Sequence, residues 1–262
     1  KLIYVYTFHS EASKEHGKWD RRIIWLKKYC LKHKWMNPVT ISPQSQRSFI
    51  DYYGCGSELI LNGIPTPRLS DEPVDVIENN RITPNTKVFF HPGRICVPKN
   101  QVVLCRVFYR LIEEGEDVVL LIAGSNQEPN IFEEMKKYFS SRIIYLGERN
   151  DVVQILAHAD GFCLPSIWEG LPVTLLESIA VGCIPICSPV GGIVDVVKDN
   201  YNGLLSSSSN ENDYCQAVKR RLRLDPAKYL DIKHNCIKSF SNYSIEKHSK
   251  EAQEIINYLL NK

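Results

Sequence analysis

The chain has 262 residues, 44% of them hydrophobic and 24% charged, and its formal net charge of +2 argues against a dedicated nucleic-acid binder. That apolar content can bury a proper core, in one large or two small domains. No apolar stretch approaches the roughly 20 residues needed to span a bilayer, and nothing reads as a cleavable signal. The nine cysteines sit mostly in apolar runs, Cys96, Cys105, Cys163, Cys183 and Cys187 among them, and none has the C-x-x-C spacing of a zinc site. They read as small buried hydrophobes in a reducing cytosol.

In chain order, residues 2–8 form a β-rich run, and a helix is predicted near residues 13–34. There Lys14, Lys18, Arg21, Arg22, Lys27, Lys28, Lys32 and Lys34 are interleaved with Trp19, Ile23, Trp25, Leu26, Tyr29, Leu31 and Trp35. This reads first as a helix packed on a sheet with a solvated basic face. A basic aromatic helix can also lie on an anionic membrane, so peripheral membrane association stays open. A strand at 39–42, a helix at 44–53 and a strand at 58–61 follow, closed by the turn Asn62-Gly63-Ile64-Pro65. Residues 66–84, rich in prolines and charges, read as a linker. Three strands and two helices make half of a Rossmann-like domain, and the chain begins with Lys. Residues 1–82 are therefore expected to be the back half of an N-terminal domain.

A second βα series then starts. Strands are predicted at 87–91, 117–123, 142–146, 161–164 and 184–188, with helices at 100–114, 131–139, 152–158 and 172–181. Segments 194–197 and 213–223 continue the pattern, and 245–260 reads as a terminal amphipathic helix. Alternating strands and helices imply an α/β fold: one complete doubly wound parallel sheet at 83–240, beside a partial Rossmann-like domain.

The strand ends of this series collect unusual residues. Glu169 and Glu177 flank the start of a predicted helix in the run Glu169-Gly170-Leu171-Pro172-Val173-Thr174 and onward. A helix start offers unpaired amides and a dipole that favours anions, and Pro172 suits its first position. Glu177 lies roughly 7–8 Å further along the axis. A diphosphate flanked by two hydroxyl-rich rings fits that spacing, each carboxylate accepting from a diol. Ordinary helix-end acids would show the same spacing, so the neighbours decide. Arg94 and Lys99 follow the first strand, a fork and a mobile point charge suited to phosphates. Gly124 and Gly147 end the next two strands, and Gly191-Gly192 follow a later one. All of these lie on one edge of one sheet, where open α/β sheets bind ligands.

With these residues the sequence resembles the retaining, nucleotide-sugar-dependent glycosyltransferases of family 4, which have the two-domain GT-B fold. The match runs through Gly93-Arg94, Lys99-Asn100, Ile122-Ala123-Gly124, Leu146-Gly147, Ala159-Asp160, Pro165-Ser166, Glu169-Gly170-Leu171-Pro172, Glu177, Gly182, Gly191-Gly192 and Asn202-Gly203-Leu204-Leu205. It is strong over about 85–205, and weaker at 39–42, at Asn62-Gly63-Ile64 and at 240–260. The resemblance implies that Arg94 and Lys99 hold the donor's β-phosphate, Glu169 contacts the transferred sugar and Glu177 the nucleotide ribose. Gly170, Leu171, Pro172, Val173 and Thr174, with Gly93 and Gly124, would bind the donor, the amides that follow Glu169 contacting its sugar and phosphates. The loop of Gly147 and Glu148 would lie beside the base, and His9 would reach the donor sugar. Residues 241–262 would cross back onto the N-terminal domain.

The implied activity is transfer of a sugar from a nucleotide-diphosphate sugar, with a UDP-sugar as first expectation, to a glycan or lipid-linked acceptor in cell-envelope polysaccharide synthesis. The expected place is the cytoplasm, or the inner face of its membrane. No D-x-D motif occurs, so neither a metal nor another cofactor is expected, and the donor is the substrate. Two alternatives stand beside this: a non-catalytic nucleotide-sugar binding module, and a sugar-nucleotide epimerase of GT-B shape. The front half of the N-terminal domain would carry most of the acceptor site, so weak or no catalysis is expected of these residues alone.

Overall fold

The computed structural model describes residues 4–9, 21–70 and 74–260. In chain order the elements begin with β1 (Val5–Phe8), α1 (Arg21–Lys32), β2 (Asn37–Thr40), α2 (Pro43–Tyr53), β3 (Glu58–Leu59) and α3 (Asp75–Glu78). They continue with β4 (Lys87–Pro92), α4 (Gln101–Glu113), β5 (Val118–Ala123), α5 (Pro129–Lys136), β6 (Ile143–Tyr145), α6 (Val152–His158) and β7 (Gly161–Leu164). The last are α7 (Val173–Ala180), β8 (Pro185–Cys187), α8 (Ile193–Val196), β9 (Leu204–Leu205), α9 (Glu211–Leu222), α10 (Pro226–Phe240) and α11 (Ile245–Leu260).

Two parallel sheets result. The first has the order β1-β2-β3, the second β6-β5-β4-β7-β8-β9. In the second, the chain fills one side from β4 outwards and then returns to fill the other from β7. The reversal between β4 and β7 is the topological switch point of a doubly wound sheet. Its strands are mostly apolar because helices cover both faces. The pleat sends Val119, Leu121 and Ala123 of β5 into one apolar cluster and Val118, Leu120 and Ile122 into the other. The first cluster lies under α6, α7 and α10, the second under α4, α5 and α9. Each fully buried Leu, Ile or Phe in them is worth about 1.5–3 kcal/mol relative to exposure.

The smaller sheet is held by Phe8, Leu31 and Phe49, ringed by partly buried tyrosines. Local signals fix α2 closely. Ser42 accepts from Ser45 N in a reciprocal capping box, Pro43 opens the first turn, and Gly54 closes the helix in the left-handed region at φ 69°. The end of the chain is tied back to this part. Ile64 N donates to Tyr243 O (2.9 Å), Ile245 N to Ile64 O (2.9 Å) and His248 Nδ1 to Leu61 O (2.5 Å). A Cβ at Gly63 would lie 2.5 Å from that of His248, so only glycine lets α11 come this close.

Several elements differ from the sequence expectation. Of the helix expected near 13–34, Arg21–Lys32 is helical, and residues 10–20 lie outside the described residues. The segment expected to be a linker contains the single turn α3, which buries Ile77. Helix α10 was not expected at all. Its buried row is Ile232, Asn235, Cys236 and Phe240, too narrow and too polar for periodicity to announce. Its start was signalled: Asp225 caps Lys228 N, and Pro226 opens the helix. Helix α10 packs against α7, with Ile237 and Lys233 closing on Gly182, and so backs the helix that begins at the switch point.

Candidate functional site

The strand ends at the switch point are laced together by their backbones. Gly93 N donates to Ala123 O (2.7 Å), Gly124 N to Gly147 O (2.8 Å) and Ile95 N to Ser125 O (2.8 Å). Gly124 has φ 145°, and a Cβ there would collide with the Gly93 carbonyl. The turns after β4, β5 and β6 thus stack edge to edge, which needs glycine at the middle one. The β4 turn is also bound to β7. Asn100, itself left-handed at φ 58°, donates through Nδ2 to Pro165 O and Ser209 O (both 3.1 Å), and Ile167 N donates to Pro98 O (2.8 Å).

This lacing sets Lys99 opposite Glu169. Lys99 Nζ donates to Glu169 Oε1 at 2.7 Å, and Ser166 Oγ donates to the same oxygen at 2.6 Å. The side chains are only 15% and 12% exposed, so the pair is poorly screened by water. Charge-assisted bonds of this length contribute roughly 1.5–3 kcal/mol each. Glu169 Oε2 carries no bond among the described residues, which leaves one acceptor oxygen of the carboxylate unused.

Past the Glu169-Gly170 turn, Leu171 is buried in the core and Pro172 is the N-cap rather than the first helical residue, with φ −67° and ψ 126°. The ring fixes φ, but the extended ψ lets the chain leave the turn, so the helix starts one residue later than expected. No side chain caps it, and the amides of Val173 and Thr174 find no acceptor among the described residues. Glu177 lies further along α7, half-buried and without a side-chain partner among the described residues. Burial alone pushes its carboxyl above the ordinary glutamate range.

The other expected residues are placed less tightly. Arg94 is exposed and donates to Gln127 Oε1 at 3.3 Å. Gly147 is left-handed at φ 73°, and Glu148 after it is exposed, ahead of an ion pair between Arg149 and Asp151. His9 is exposed just past β1, with no bond to the others. The structure therefore joins Lys99 to Glu169 just before the start of α7, carries Glu177 further along that helix, and leaves Arg94, Glu148 and His9 unattached to the pair.

A profile of the family described as "Glycosyl transferases group 1" matches residues 75–239, well over half of the chain. The chain belongs to this family. Along 94% of its length it is 26% identical to the UDP-Gal:alpha-D-GlcNAc-diphosphoundecaprenol alpha-1,3-galactosyltransferase of Escherichia coli, covering 62% of that protein. The N,N'-diacetylbacillosaminyl-diphospho-undecaprenol alpha-1,3-N-acetylgalactosaminyltransferase of Campylobacter jejuni is 32% identical over 42% of this chain, and only 30% of its own length is matched. The chain thus spans less than two thirds of these relatives. The crystal structure of Anabaena HepE with UDP and glucose superimposes on 99% of the chain and 72% of its own, with a TM-score of 0.83 at 20% identity. That likeness shows the fold, which is GT-B.

Within this family member, two side chains near the α7 start are not singled out by the sequence reading. Ser166 enters the sequence reading only through the family resemblance, yet it donates to the Glu169 carboxylate. His91 is fully buried under Gly93, donating from Nδ1 to Cys163 O at 2.7 Å. Its Nε2 has no partner, and burial holds the ring neutral by lowering its pKa to about 4, with the Lys99 charge acting in the same direction. A polar residue inside an otherwise apolar β4 run was the available signal.

Proposed function

We propose that this chain forms the donor-binding part of a glycosyltransferase that moves a sugar from a nucleotide-diphosphate sugar to a glycan or lipid-linked acceptor with retention. The observation that carries the reading is the Lys99–Glu169 pair beside the uncapped start of α7, at the switch point of the sheet. Lys99, Arg94 and the amides of Val173 and Thr174 supply fixed positive charge where a leaving diphosphate becomes more negative. Glu169 Oε2 is free to accept from a hydroxyl of the transferred sugar, and Glu177 from a ribose hydroxyl. In this reading Glu169 is not a nucleophile. The anomeric C–O bond breaks towards the diphosphate, whose oxygen takes the acceptor's proton as the acceptor oxygen bonds to the same face.

The names of the relatives support a UDP-sugar and a lipid-linked acceptor, since the Escherichia coli protein is named for UDP-Gal and a diphosphoundecaprenol, and HepE was crystallised with UDP. A role in envelope polysaccharide synthesis follows the same support. Peripheral contact with a membrane belongs to the reading as well. No helix among the described residues is long and apolar enough to cross a bilayer, but Trp25, Leu26 and Trp35 are 65%, 53% and 64% exposed beside Lys28, Lys32 and Lys34.

Calorimetric titration with UDP, GDP and ADP tests the core of the proposal. Binding of one nucleoside diphosphate, tightened or matched by its sugar conjugate, is expected. Failure of all three to bind would remove it.

A further inference from the structure

We propose that Asp195 is a positioning residue, a cross-cleft tie through which the N-terminal sheet holds the Glu169–Gly170 turn and the start of α7 in their binding arrangement. The inference rests on the donor-site reading above and names a residue outside the crevice that controls it.

The tie begins at the Gly191-Gly192 turn, which lies flat on the donor loop. Gly191 is left-handed at φ 53°, and a Cβ on it would run into the Glu169 carbonyl; one on Gly192 would run into the Gly170 carbonyl. Gly192 N also donates to Gly170 O at 2.7 Å. The turn cannot shift without moving the loop that carries Glu169. Helix α8 follows at once, and in it Asp195 reaches across to α2. Its Oδ2 accepts from Gln44 N at 2.8 Å, and its Oδ1 lies 3.5 Å from Arg47 Nη2. Gln44 N is a first-turn amide of α2, so the carboxylate meets the positive end of that helix. Its side chain is 14% exposed, which limits screening of that attraction.

The surroundings close around the same point. The Ser42 hydroxyl stands 3.1 Å from where a Gly192 Cβ would be, so the Ser42 side chain packs directly on the glycine turn. Ile41 and Ile64 of the N-terminal part share one apolar cluster with Leu171 and Ile193. Asn62 Nδ2 donates to Leu171 O at 3.4 Å, a second and longer tie to the donor loop. Tyr243, on the segment crossing back, has its phenol pushed up to about 12 by burial and then by the Asp195 charge, which places that carboxylate beside it. Donor loop, N-terminal helix and crossing segment therefore meet at Asp195. With the tie made, the amides of Val173 and Thr174 are held before a ligand arrives; without it, part of the binding energy is spent on ordering them.

The test is calorimetric titration of the wild-type chain, Arg47→Glu, Asp195→Asn and the double variant. The ligand is whichever of UDP, GDP and ADP the wild type binds best. Arg47 is 61% exposed and does not touch the crevice, so its replacement spares the fold while setting a like charge against Asp195. Arg47→Glu is expected to weaken binding about tenfold, near 1.4 kcal/mol. Asp195→Asn keeps an acceptor for Gln44 N and is expected to weaken it less, and the double variant is expected to recover most of the Arg47→Glu loss. Unchanged affinity in Arg47→Glu overturns the tie, whatever happens to its melting temperature, because a merely structural bond would move only the latter. Absence of nucleotide binding by the wild type would instead overturn the donor-site reading and take this inference with it.

Discussion

Glu169, just before α7, and Glu177, within it, place the same side chain in opposite surroundings. Glu169 gives one oxygen to both Lys99 and Ser166 and is held in place by the two donors. Glu177, on the helix that follows, is half-buried with no partner among the described residues, and burial pushes its carboxyl up. A satisfied buried pair holds local geometry whether or not a ligand is present. An unsatisfied acid costs stability until something donates to it, a pattern found at binding sites more often than in scaffolds. On the proposed donor-site reading, the Glu169 wall is prebuilt and the Glu177 wall is completed by its ligand.

Removing Lys99 is the strongest way to break this contrast. Lys99→Ala leaves Glu169 a largely buried carboxylate held only by Ser166, and loss of one partner from such a pair costs about 3 kcal/mol of stability. It also removes the cation assigned to the diphosphate, so affinity for UDP should fall by roughly two orders of magnitude. The double variant Lys99→Ala/Glu169→Gln should regain much of the stability and little of the affinity. Urea unfolding and calorimetry on the three proteins check both parts. If the double variant regained affinity as well, Lys99 would be a structural partner alone.

How far the sequence foretold this wall depends on distance along the chain. The apolar runs of β4, β5 and β7, and the glycines after β5 and β6, could be read because they report local burial and turn geometry. The candidate residues could be placed at strand ends for the same reason. That Lys99 and Glu169 bond to each other, seventy positions apart, could not, since nothing local sets their facing. The offset of Pro172, from first helical residue to N-cap, reflects the tight turn before it, which helix-start preferences do not encode. Helix α10 hid because its apolar stripe is narrow, and β9 because two residues carry no period.

His91 lies beneath the same wall and was equally hidden. Its folded pKa of about 4 lies below the ordinary 6.5. The unfolded chain therefore binds more protons at this site between those values. Stability is complete above about pH 6.5 and is lost as pH falls towards 4, by about 3 kcal/mol in all. His91→Asn, which retains a donor for Cys163 O but cannot titrate, should flatten that part of the pH profile although it leaves a small gap. Unfolding midpoints measured from pH 7 down to pH 4 compare the two, and parallel profiles would mean that folding does not lower the His91 pKa.

Glu177 gives the smallest effect and the sharpest separation of stability from binding. Because its folded pKa is raised, the native state holds the extra proton across the window from the ordinary glutamate value up to the raised one. Stability therefore falls as pH rises through that window. Glu177→Gln removes the penalty, so its melting temperature should exceed the wild type's at pH 7, with the gain vanishing once pH drops below the ordinary glutamate range. The same change exchanges a charged acceptor for a neutral one, and UDP affinity should fall about tenfold, near 1.4 kcal/mol. Wild-type affinity should also weaken on acidification at a higher pH than an ordinary glutamate would allow, whereas that of Glu177→Gln should not. A variant that is both more stable and weaker in binding would show that the open acid is kept for the ligand. If it lost stability with unchanged affinity, Glu177 would belong to the scaffold, and the two walls of the crevice would differ only in packing.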